Sequence, residues 1–280
     1  MTRSSKPSTP PQTSREHYTG GYSAVTLAGL AARHAAREAA FFLPRLRPGM
    51  RLLDCGCGPG AITVDLAQIV APGEVVGVDM EASQFGFGLH RAAEMSLTNV
   101  RFAQGNLYDL PFPADSFDAV FVHAVLYHLR EPARALGEIH RVLRSGGIVG
   151  VRDADAGGDL FSPRSPILGR AWDLMARVLE HNGGDIHLGR KHRALLRAAG
   201  FTGIEASASY DHFGTPEKTR DASMFFGHLL LQPEFTAVAE TLGWATRADL
   251  EAMSAAFREW GGQPDAFYAR ARCEAVGTKP

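Results

Sequence analysis

The sequence predicts an α/β protein with a Rossmann-like, doubly wound parallel sheet and helical cap insertions. Through the first half of the chain, short apolar segments of strand length alternate with amphipathic segments of helical length, the pattern of a parallel sheet with crossover helices. Polar residues follow several of these strands, at the edge where such sheets bind ligands. After Asp159 the pattern becomes mostly helical. We therefore expect a ligand-binding core that carries caps.

Composition narrows the functional classes. The chain has 280 residues, 45% of them hydrophobic, and a formal net charge of −1. Lysine and arginine are scattered, which argues against nucleic acid as the main partner. No apolar run approaches a membrane span, and the first residues lack the apolar segment of a secretion signal. We expect a cytoplasmic monomer or homodimer that acts on a small molecule.

The three cysteines are expected to be reduced thiols. Cys55 and Cys57 lie near a glycine-rich turn, and Cys273 lies in a late apolar segment. This odd number fits neither a disulfide framework nor a zinc site. The histidines between residues 181 and 192 share no helical face suited to ligation, so no metal is expected.

The N-terminal region predicts a tail followed by a lid. Residues 1–16 are polar and are predicted to be flexible, and a lid helix is predicted over residues 23–42. Tyr18 and Tyr22 precede this helix beside paired glycines. Their aromatic faces and polar tips suit either a lid over a bound ligand or ordinary packing. Residues 17–160 include this lid and the predicted core.

The core begins with a strand, a glycine turn and a helix. Residues 51–55 form a short apolar strand, residues 56–60 contain three glycines, and a helix follows with Ile62, Leu66 and Ile69 on one face. Glycines at such a turn let backbone amides approach a ligand, and the helix N-terminus favours an anion.

Two cofactors fit this turn. Gly56, Gly58 and Ala61 match a loose dinucleotide fingerprint, with Asp79 at the distance of a ribose-binding acid. Asp54, however, would repel a pyrophosphate at close range. Its carboxylate suits the ammonium group of S-adenosylmethionine (SAM), unless Asp54 only caps the loop.

The remaining core strands bring further polar residues to the same edge. Strands are predicted at residues 74–79, 99–103, 119–122 and 148–151, with helices at residues 82–96 and from Pro132 onward. Polar side chains end or follow five strands of the core, and we expect them to lie together at its carboxyl edge: Asp54, Asp79, Asn106, His123 and Asp153.

The sequence of the second half of the chain predicts cap segments that are inserted between elements of the core. Residues 161–186 form a helical cap segment, and residues 187–211 add a core helix and strand. Residues 212–262 form a helical insertion rich in Phe, Leu, Trp and Met, and residues 263–280 contain the closing strand. We expect the caps to shape a substrate pocket.

Four motifs carry a family resemblance: LLDCGCGPG, VVGVD, GNLYDLPFPADSFD and HAVLYHL. The chain resembles the class I SAM-dependent methyltransferases, in particular those of methyltransferase domain type 11. That group includes quinone-biosynthesis C-methyltransferases and natural-product methyltransferases. The resemblance implies a seven-stranded sheet whose last strand pair is antiparallel, with SAM as cofactor and S-adenosylhomocysteine (SAH) as its product.

The resemblance also implies roles for particular residues. Asp54 and the glycine turn hold the methionine end of SAM, and Asp79 accepts both ribose hydroxyls. Asn106 stands where many relatives have Asp, and its amide oxygen accepts from the adenine amino group. The implied cofactor-binding residues are Tyr18, Tyr22, Asp54, Gly56, Cys57, Gly58, Asp79, Met80, Gln84, Gly105, Asn106, Leu107 and His123.

Catalysis needs a base only if the methyl acceptor must lose a proton. The candidates are His123, Asp153, Tyr127 and His128. His123 is preferred because it ends a strand at the carboxyl edge, and an imidazole titrates near neutral pH unless its surroundings shift it. The alternative is that His123 only hydrogen-bonds the backbone beside SAM.

Three functions remain. The leading hypothesis is methyl transfer to O, N or C of an apolar or aromatic small molecule in natural-product biosynthesis. A second is a SAM-binding protein of the same fold that performs cyclisation or dehydration. A third, an NAD(P)-dependent oxidoreductase, is disfavoured by Asp54 and by the lack of recognisable hydride-transfer residues.

Overall fold

The structure, a computed structural model, describes residues 18–280. The tail predicted for residues 1–16 lies outside these residues. The strands are β1 (Leu52–Cys55), β2 (Val75–Asp79), β3 (Val100–Gln104), β4 (Phe117–His123), β5 (Leu143–Ala154), β6 (Leu160–Ser162), β7 (Thr202–Phe213) and β8 (Phe267–Thr278). The α-helices are α1 (Ala24–Ala31), α2 (Ala35–Glu38), α3 (Ala61–Val70), α4 (Gly86–Glu94), α5 (Pro132–Val142), α6 (Pro166–His181), α7 (His192–Ala198), α8 (Pro216–Leu229), α9 (Pro233–Thr241) and α10 (Arg247–Gly261).

All of these strands belong to one sheet. The first five are parallel, in the order β3–β2–β1–β4–β5. β8 lies antiparallel between β5 and β7, so the predicted doubly wound sheet with an antiparallel last pair is confirmed. The short β6 adds to the seven expected strands and pairs with the first residues of β8. Strand order reverses between β1 and β4, which places a ligand crevice at their carboxyl ends.

Neighbouring residues of the buried strands point to opposite faces of the sheet, and both faces are apolar. Leu53 and Val120 belong to the hydrophobic core that includes residues of α5 and α7. Leu52 and Phe121 belong to the core that includes residues of α2 and α3. Burial on both faces explains why these strands are continuous apolar runs in the sequence.

The continuous helix predicted over residues 23–42 is wrong. The segment forms α1, a break, the short α2 and a 3-10 turn at Leu43–Arg45. His34 at the break is extended, with φ −137° and ψ 141°, and the Ala35 amide donates to Asp65 Oδ2 at 2.8 Å. The break allows α2 to pack in the sheet core. Likewise, the helix predicted from residue 82 begins as a 3-10 turn, and its α-helical part is α4.

The two cap segments pack together. α6 from the first segment and α8, α9 and α10 from the second share a hydrophobic cluster that includes Phe226, Phe257 and Trp260. Trp172 packs against this cluster, with its ring 4.6 Å from that of Phe226. In the part of the chain that the structure describes, no helix is both long and apolar enough to cross a bilayer.

Candidate active site

A cavity of about 690 Å³ lies at the carboxyl edge of the sheet. β1 contributes Asp54, β2 contributes Asp79 and β4 contributes His123 to its wall. Tyr18 and Tyr22, which precede α1, line it as well. A cavity of this size at the reversal of strand order suits a cofactor together with a small molecule.

The turn between β1 and α3 requires glycine. Gly56, Gly58 and Gly60 have φ values of 71°, 53° and 84°, in the left-handed region that glycine adopts at little cost. A Cβ on Gly56 would lie 2.3 Å from Cγ2 of Val125, whereas one on Gly58 would meet no atom closer than 3.7 Å. The bare backbone at Gly58 therefore leaves room on the cavity side for a ligand to approach.

The amides of this turn are bound by the protein itself, contrary to the expectation that they bind an anion. Gly56 and Cys57 donate to the Val78 carbonyl at 2.7 and 3.0 Å. Gly58 donates to Asp79 Oδ2 at 2.9 Å. Since these donors are occupied, the turn is poorly suited to cradle a pyrophosphate, and the dinucleotide alternative loses its main support.

Asp79 is fixed at the end of β2. In addition to the Gly58 amide, it accepts the Glu81 amide on Oδ1 at 3.0 Å. Burial raises its pKa, although these amide bonds favour the charged form. Each carboxylate oxygen keeps a further lone pair, so Asp79 can accept two hydroxyl protons from one diol.

Asp54 is 3% exposed and lies next to the glycine turn. Thr63 on α3 donates its hydroxyl to Asp54 Oδ2 at 2.6 Å. Burial raises the pKa of Asp54 to about 7, and the charge of Asp79 adds to this rise. A cationic group in the cavity would favour the ionised form of Asp54, which suits the ammonium of an amino acid.

The cavity is also lined by Met80, Gln84, Gly105, Asn106 and Leu107. Asn106 Oδ1 accepts the Tyr108 amide at 2.9 Å, so the amide orientation of Asn106 is set by the backbone. Gln84 Oε1 is buried and has no hydrogen-bond partner within residues 18–280. A buried acceptor without a hydrogen bond is energetically costly, so we expect Gln84 Oε1 to accept a hydrogen bond from a ligand.

The N-terminal segment is attached to the second cap segment, although none of the residues that line the cavity belongs to either cap segment. Ser23 Oγ lies 3.0 Å from His228 Nε2, and Gln232 Nε2 donates to Thr26 Oγ1 at 3.1 Å. The Tyr18 ring meets the edge of His128 with a centroid distance of 4.9 Å. Tyr18 and Tyr22 thus line the cavity, and Tyr18 also packs against another residue of its wall.

His123 lines the cavity but is not free to titrate near neutral pH. Its Nε2 lies 3.3 Å from Glu38 Oε2 and 3.0 Å from Arg152 Nη1. Burial is the main reason that its pKa falls to about 4, although Glu38 opposes the shift. Because a guanidinium can only donate, Nε2 accepts from Arg152 Nη1, and we assign the ring proton of the neutral imidazole to Nδ1. Nδ1, which is buried and has no partner among the described residues, is then a donor.

The other base candidates lie in different places. His128 lines the cavity, and neither of its ring nitrogens has a partner among residues 18–280. Tyr127 and Asp153 do not line the cavity. Asp153 is fully buried within β5, and its Oδ2 lies 2.9 Å from His192 Nε2. β5 extends past the predicted residue 151 because Asp153 pairs with Cys273 of β8.

His123 contacts a buried network of charged residues, which the sequence analysis did not predict. Arg152 is 1% exposed and contacts Glu38, Asp211 Oδ1 at 2.7 Å and Glu274 Oε1 at 3.1 Å. These residues are far apart in the chain. The only local signal is an arginine directly after four apolar or glycine residues in a predicted strand.

The sheet order, the antiparallel last pair and the acids beside the glycine turn are those of a class I SAM-dependent methyltransferase. The chain belongs to this class, and a family model described as a methyltransferase domain matches residues 46–184. A curated relative, the probable methyltransferase ltbC of Aspergillus luteorubrus, is 31% identical over 282 residues. That match covers 94% of this chain and 97% of the relative.

Two solved structures have folds similar to that of this chain. The YcgJ protein of Bacillus subtilis is similar with a TM-score of 0.58 at 20% identity, over 88% of this chain and 99% of that one. The [4+2]-cyclase SpnF is similar with a TM-score of 0.50 at 27% identity, over 91% of this chain and 81% of that one.

The residues that line the cavity have the chemical groups needed to bind SAM. Asp54 suits the ammonium, Asp79 the ribose diol, and the buried acceptor of Gln84 a donor on the ligand. The space beside Gly58 admits a ligand close to the backbone.

Proposed function

We propose that the protein transfers the methyl group of SAM to O, N or C of an apolar or aromatic small molecule in biosynthetic metabolism. The observation that carries this proposal is the cavity at the carboxyl edge, whose wall includes Asp54, Asp79 and two histidines. A cytoplasmic monomer or homodimer is part of the proposal. The three free cysteines support a reducing compartment.

Calorimetric titration with SAM, SAH and NADH in separate runs tests the cofactor. We expect heat from SAM and SAH and none from NADH. Incubation with SAM labelled in its methyl group and a panel of phenols, quinones and amines then tests transfer. A product heavier by one CH2, carrying the label, supports the proposal; NADH binding without a response to SAM contradicts it.

Cyclisation or dehydration without methyl transfer is the second candidate. Its specific support is the similarity to the cyclase SpnF. The shared cofactor motifs do not separate the two functions, but the mass of the product does. An altered product without added CH2, formed while SAM is not consumed, would favour this candidate.

The cofactor-binding residues are assigned by position in the cavity. We propose that Asp54 binds the ammonium, that Asp79 binds the ribose hydroxyls, and that Gly58 allows the approach of the methionine portion. We propose that Met80, Gly105, Asn106 and Leu107, which line the cavity, contact the adenine, and that the buried oxygen of Gln84 accepts from a donor on SAM. Tyr18 and Tyr22 cover the site as part of the lid.

The pKa of Asp54 predicts that SAM binding depends on pH. Because burial raises this pKa to about 7, a growing fraction of the carboxyl is protonated as the pH falls below that value. The ammonium requires the ionised form, so SAM affinity should fall by about tenfold per pH unit below about pH 7. Calorimetry between about pH 7.5 and 5.5 measures this. The Asp54→Asn variant is the control: it should bind more weakly with little pH dependence. A flat wild-type profile would contradict the assignment.

Catalysis is proposed to depend on positioning in a dry pocket. Bound SAM supplies the activated methyl group. The lid residues Tyr18 and Tyr22 exclude water, and the cavity wall aligns the acceptor with the methyl group. His123 Nδ1–H donates a hydrogen bond that orients the methyl acceptor, while Arg152 holds the other ring nitrogen. We make no catalytic assignment for Tyr127 and Asp153, because neither lines the cavity.

The His123→Ala variant should retain SAM affinity and lose turnover. Removing the donor at Nδ1, which orients the methyl acceptor, is expected to lower kcat by about 100-fold, measured with the methyl acceptor identified in the panel. His140→Ala on α5 is the control and should change kcat by less than about twofold, because His140 does not line the cavity. Unchanged turnover in His123→Ala would remove its catalytic role.

A further inference from the structure

We propose that Gln232, in the second cap segment, is a positioning residue for the cofactor. It holds residues 18–31, the lid segment, at the cavity and thereby slows the release of SAM and SAH. This inference rests on the proposed function and adds a role for the caps. Because the cap segments do not line the cavity, an element that touches both must connect them. The lid segment is such an element, since its residues Tyr18, Tyr22 and Leu30 line the cavity.

The helix of the lid segment is apolar but is not anchored by apolar packing. Apart from Thr26 and Gly29, α1 consists of alanine, valine and leucine. Within residues 18–280, however, none of its side chains joins the hydrophobic clusters on the two faces of the sheet or between the caps. Thr26 is the only buried residue of α1, and Val25 is 41% exposed. An element with few buried apolar contacts opens at low cost, so polar contacts decide where α1 lies.

Gln232 makes these polar contacts from the cap. It lies between α8 and α9 and is buried. Its Nε2 donates to Thr26 Oγ1 at 3.1 Å and to Ser23 Oγ at 3.3 Å. Thr26 in turn donates its hydroxyl to the Gly20 carbonyl at 3.0 Å. One amide group thus fixes both the first turn of α1 and the chain before it, which carries the two tyrosines of the cavity wall.

Gly21 allows Gln232 to come close to the backbone between the two tyrosines. A Cβ on Gly21 would lie 1.9 Å from Gln232 Oε1, and its φ of 62° is in the left-handed region that favours glycine. The first cap segment adds a contact of the same kind, because Asn182 Nδ2 donates to Thr19 Oγ1 at 3.0 Å. Both cap segments therefore reach the lid segment through side-chain hydrogen bonds. Such bonds exchange readily with water, which suits an attachment that breaks when a cofactor enters or leaves.

The other side of α1 has room for movement. A groove of about 340 Å³ separates α1 from the start of α4, and it is lined by Leu27, Ala28 and Ala31 on one side and by Phe87 on the other. Since this groove is open, α1 can shift into it without displacing residues of the sheet core. The hydrogen bonds of Gln232 oppose that shift.

The Gln232→Met variant tests the attachment, because methionine is similar in size and has no amide group. We expect SAH to dissociate at least about tenfold faster from this variant, since two neutral hydrogen bonds together contribute about this much. Surface plasmon resonance on the immobilised full chain measures the dissociation rate. Hydrogen exchange of the α1 amides, measured without ligand, should also become at least about tenfold faster.

The Thr26→Val variant tests the same contact from the lid side. It keeps the shape of the side chain and removes the hydroxyl that accepts from Gln232. We expect faster SAH dissociation and faster α1 exchange, as in Gln232→Met. Because the two residues share a hydrogen bond, the double variant should change each rate by less than the product of the two single effects.

Thr219→Val is the matched control. Thr219 is a buried residue of the same cap segment, and its hydroxyl bonds to backbone carbonyls within that segment, including that of Thr215 at 3.1 Å. Its replacement should destabilise the cap while leaving SAH dissociation and α1 exchange within about twofold of the wild type.

Unchanged α1 exchange in Gln232→Met overturns the proposal. Faster exchange with unchanged SAH dissociation also overturns it, because the lid segment would then not retain the cofactor. Equal effects of Gln232→Met and Thr219→Val would show a general loosening of the cap and overturn it as well. In each of these outcomes SAH binding by the wild type still supports the proposed function, whereas failure of the wild type to bind SAH contradicts both.

Discussion

Replacing Asp79 with alanine is expected to weaken SAM binding by at least about 100-fold. The variant loses two charge-assisted hydrogen bonds to the ribose diol, and each contributes about tenfold or more. It also loses the contacts to the amides of Gly58 and Glu81, which orient the glycine turn. Calorimetric titration with SAM and with SAH gives the affinity directly.

Two controls make the Asp79 result specific. Asp173→Ala removes an exposed carboxylate on α6 that does not line the cavity, and should leave affinity unchanged. Thermal unfolding of Asp79→Ala without ligand shows whether the fold is retained. A folded Asp79→Ala variant with SAM affinity within about threefold of the wild type would refute the assignment of the ribose.

Replacing Arg152 with methionine is expected to destabilise the fold by about 3–5 kcal/mol, the usual cost of leaving buried charges without their partner. The variant leaves the carboxylates of Glu38, Asp211 and Glu274 together in the interior. Urea unfolding at neutral pH measures the loss in free energy of unfolding.

The decrease in the free energy of unfolding caused by Arg152→Met should be smaller at low pH. Burial raises the pKa of Asp211, but the charges of Arg272 and Arg152 together hold it down to about 2. A lowered acid pKa stabilises the fold above the unfolded-state value of about 4, and this stabilisation is lost as the pH falls towards 2. Arg247→Met is the control: its exposed pair with Glu251 should contribute less than about 0.5 kcal/mol. Equal losses in the two variants would show that the buried network does not stabilise the protein.

Local sequence patterns were sufficient to predict the fold class, and the class of enzyme was predicted from the resemblance that four sequence motifs carry. The continuous apolar segments indicated strands that are buried on both faces of the sheet. The glycines of residues 56–60 indicated a turn, and in the structure they have left-handed φ values. Asp54 and Asp79 could be placed because each ends a short strand beside that turn. Such features depend on neighbours in the chain, which a single sequence displays.

Features that depend on distant residues were missed or misplaced. The break near His34 is stabilised by Asp65 on α3, and nothing in residues 23–42 reveals it. Asp153 was placed at a strand end, but pairing with β8 continues the strand through it. His123 was expected to titrate near neutral pH, whereas burial beside Glu38 and Arg152 lowers its pKa to about 4. Each outcome is set by tertiary packing.

The position of β8 has a consequence for how the molecule assembles during synthesis. β8 fills the gap between β5 and β7 and pairs with both, although more than one hundred residues separate it from β5 in the chain. The parallel strands and their helices can collapse early, but β5 then exposes an unpaired edge until the ribosome has delivered residue 278. Nascent chains halted within α10 should therefore be the species that chaperones capture.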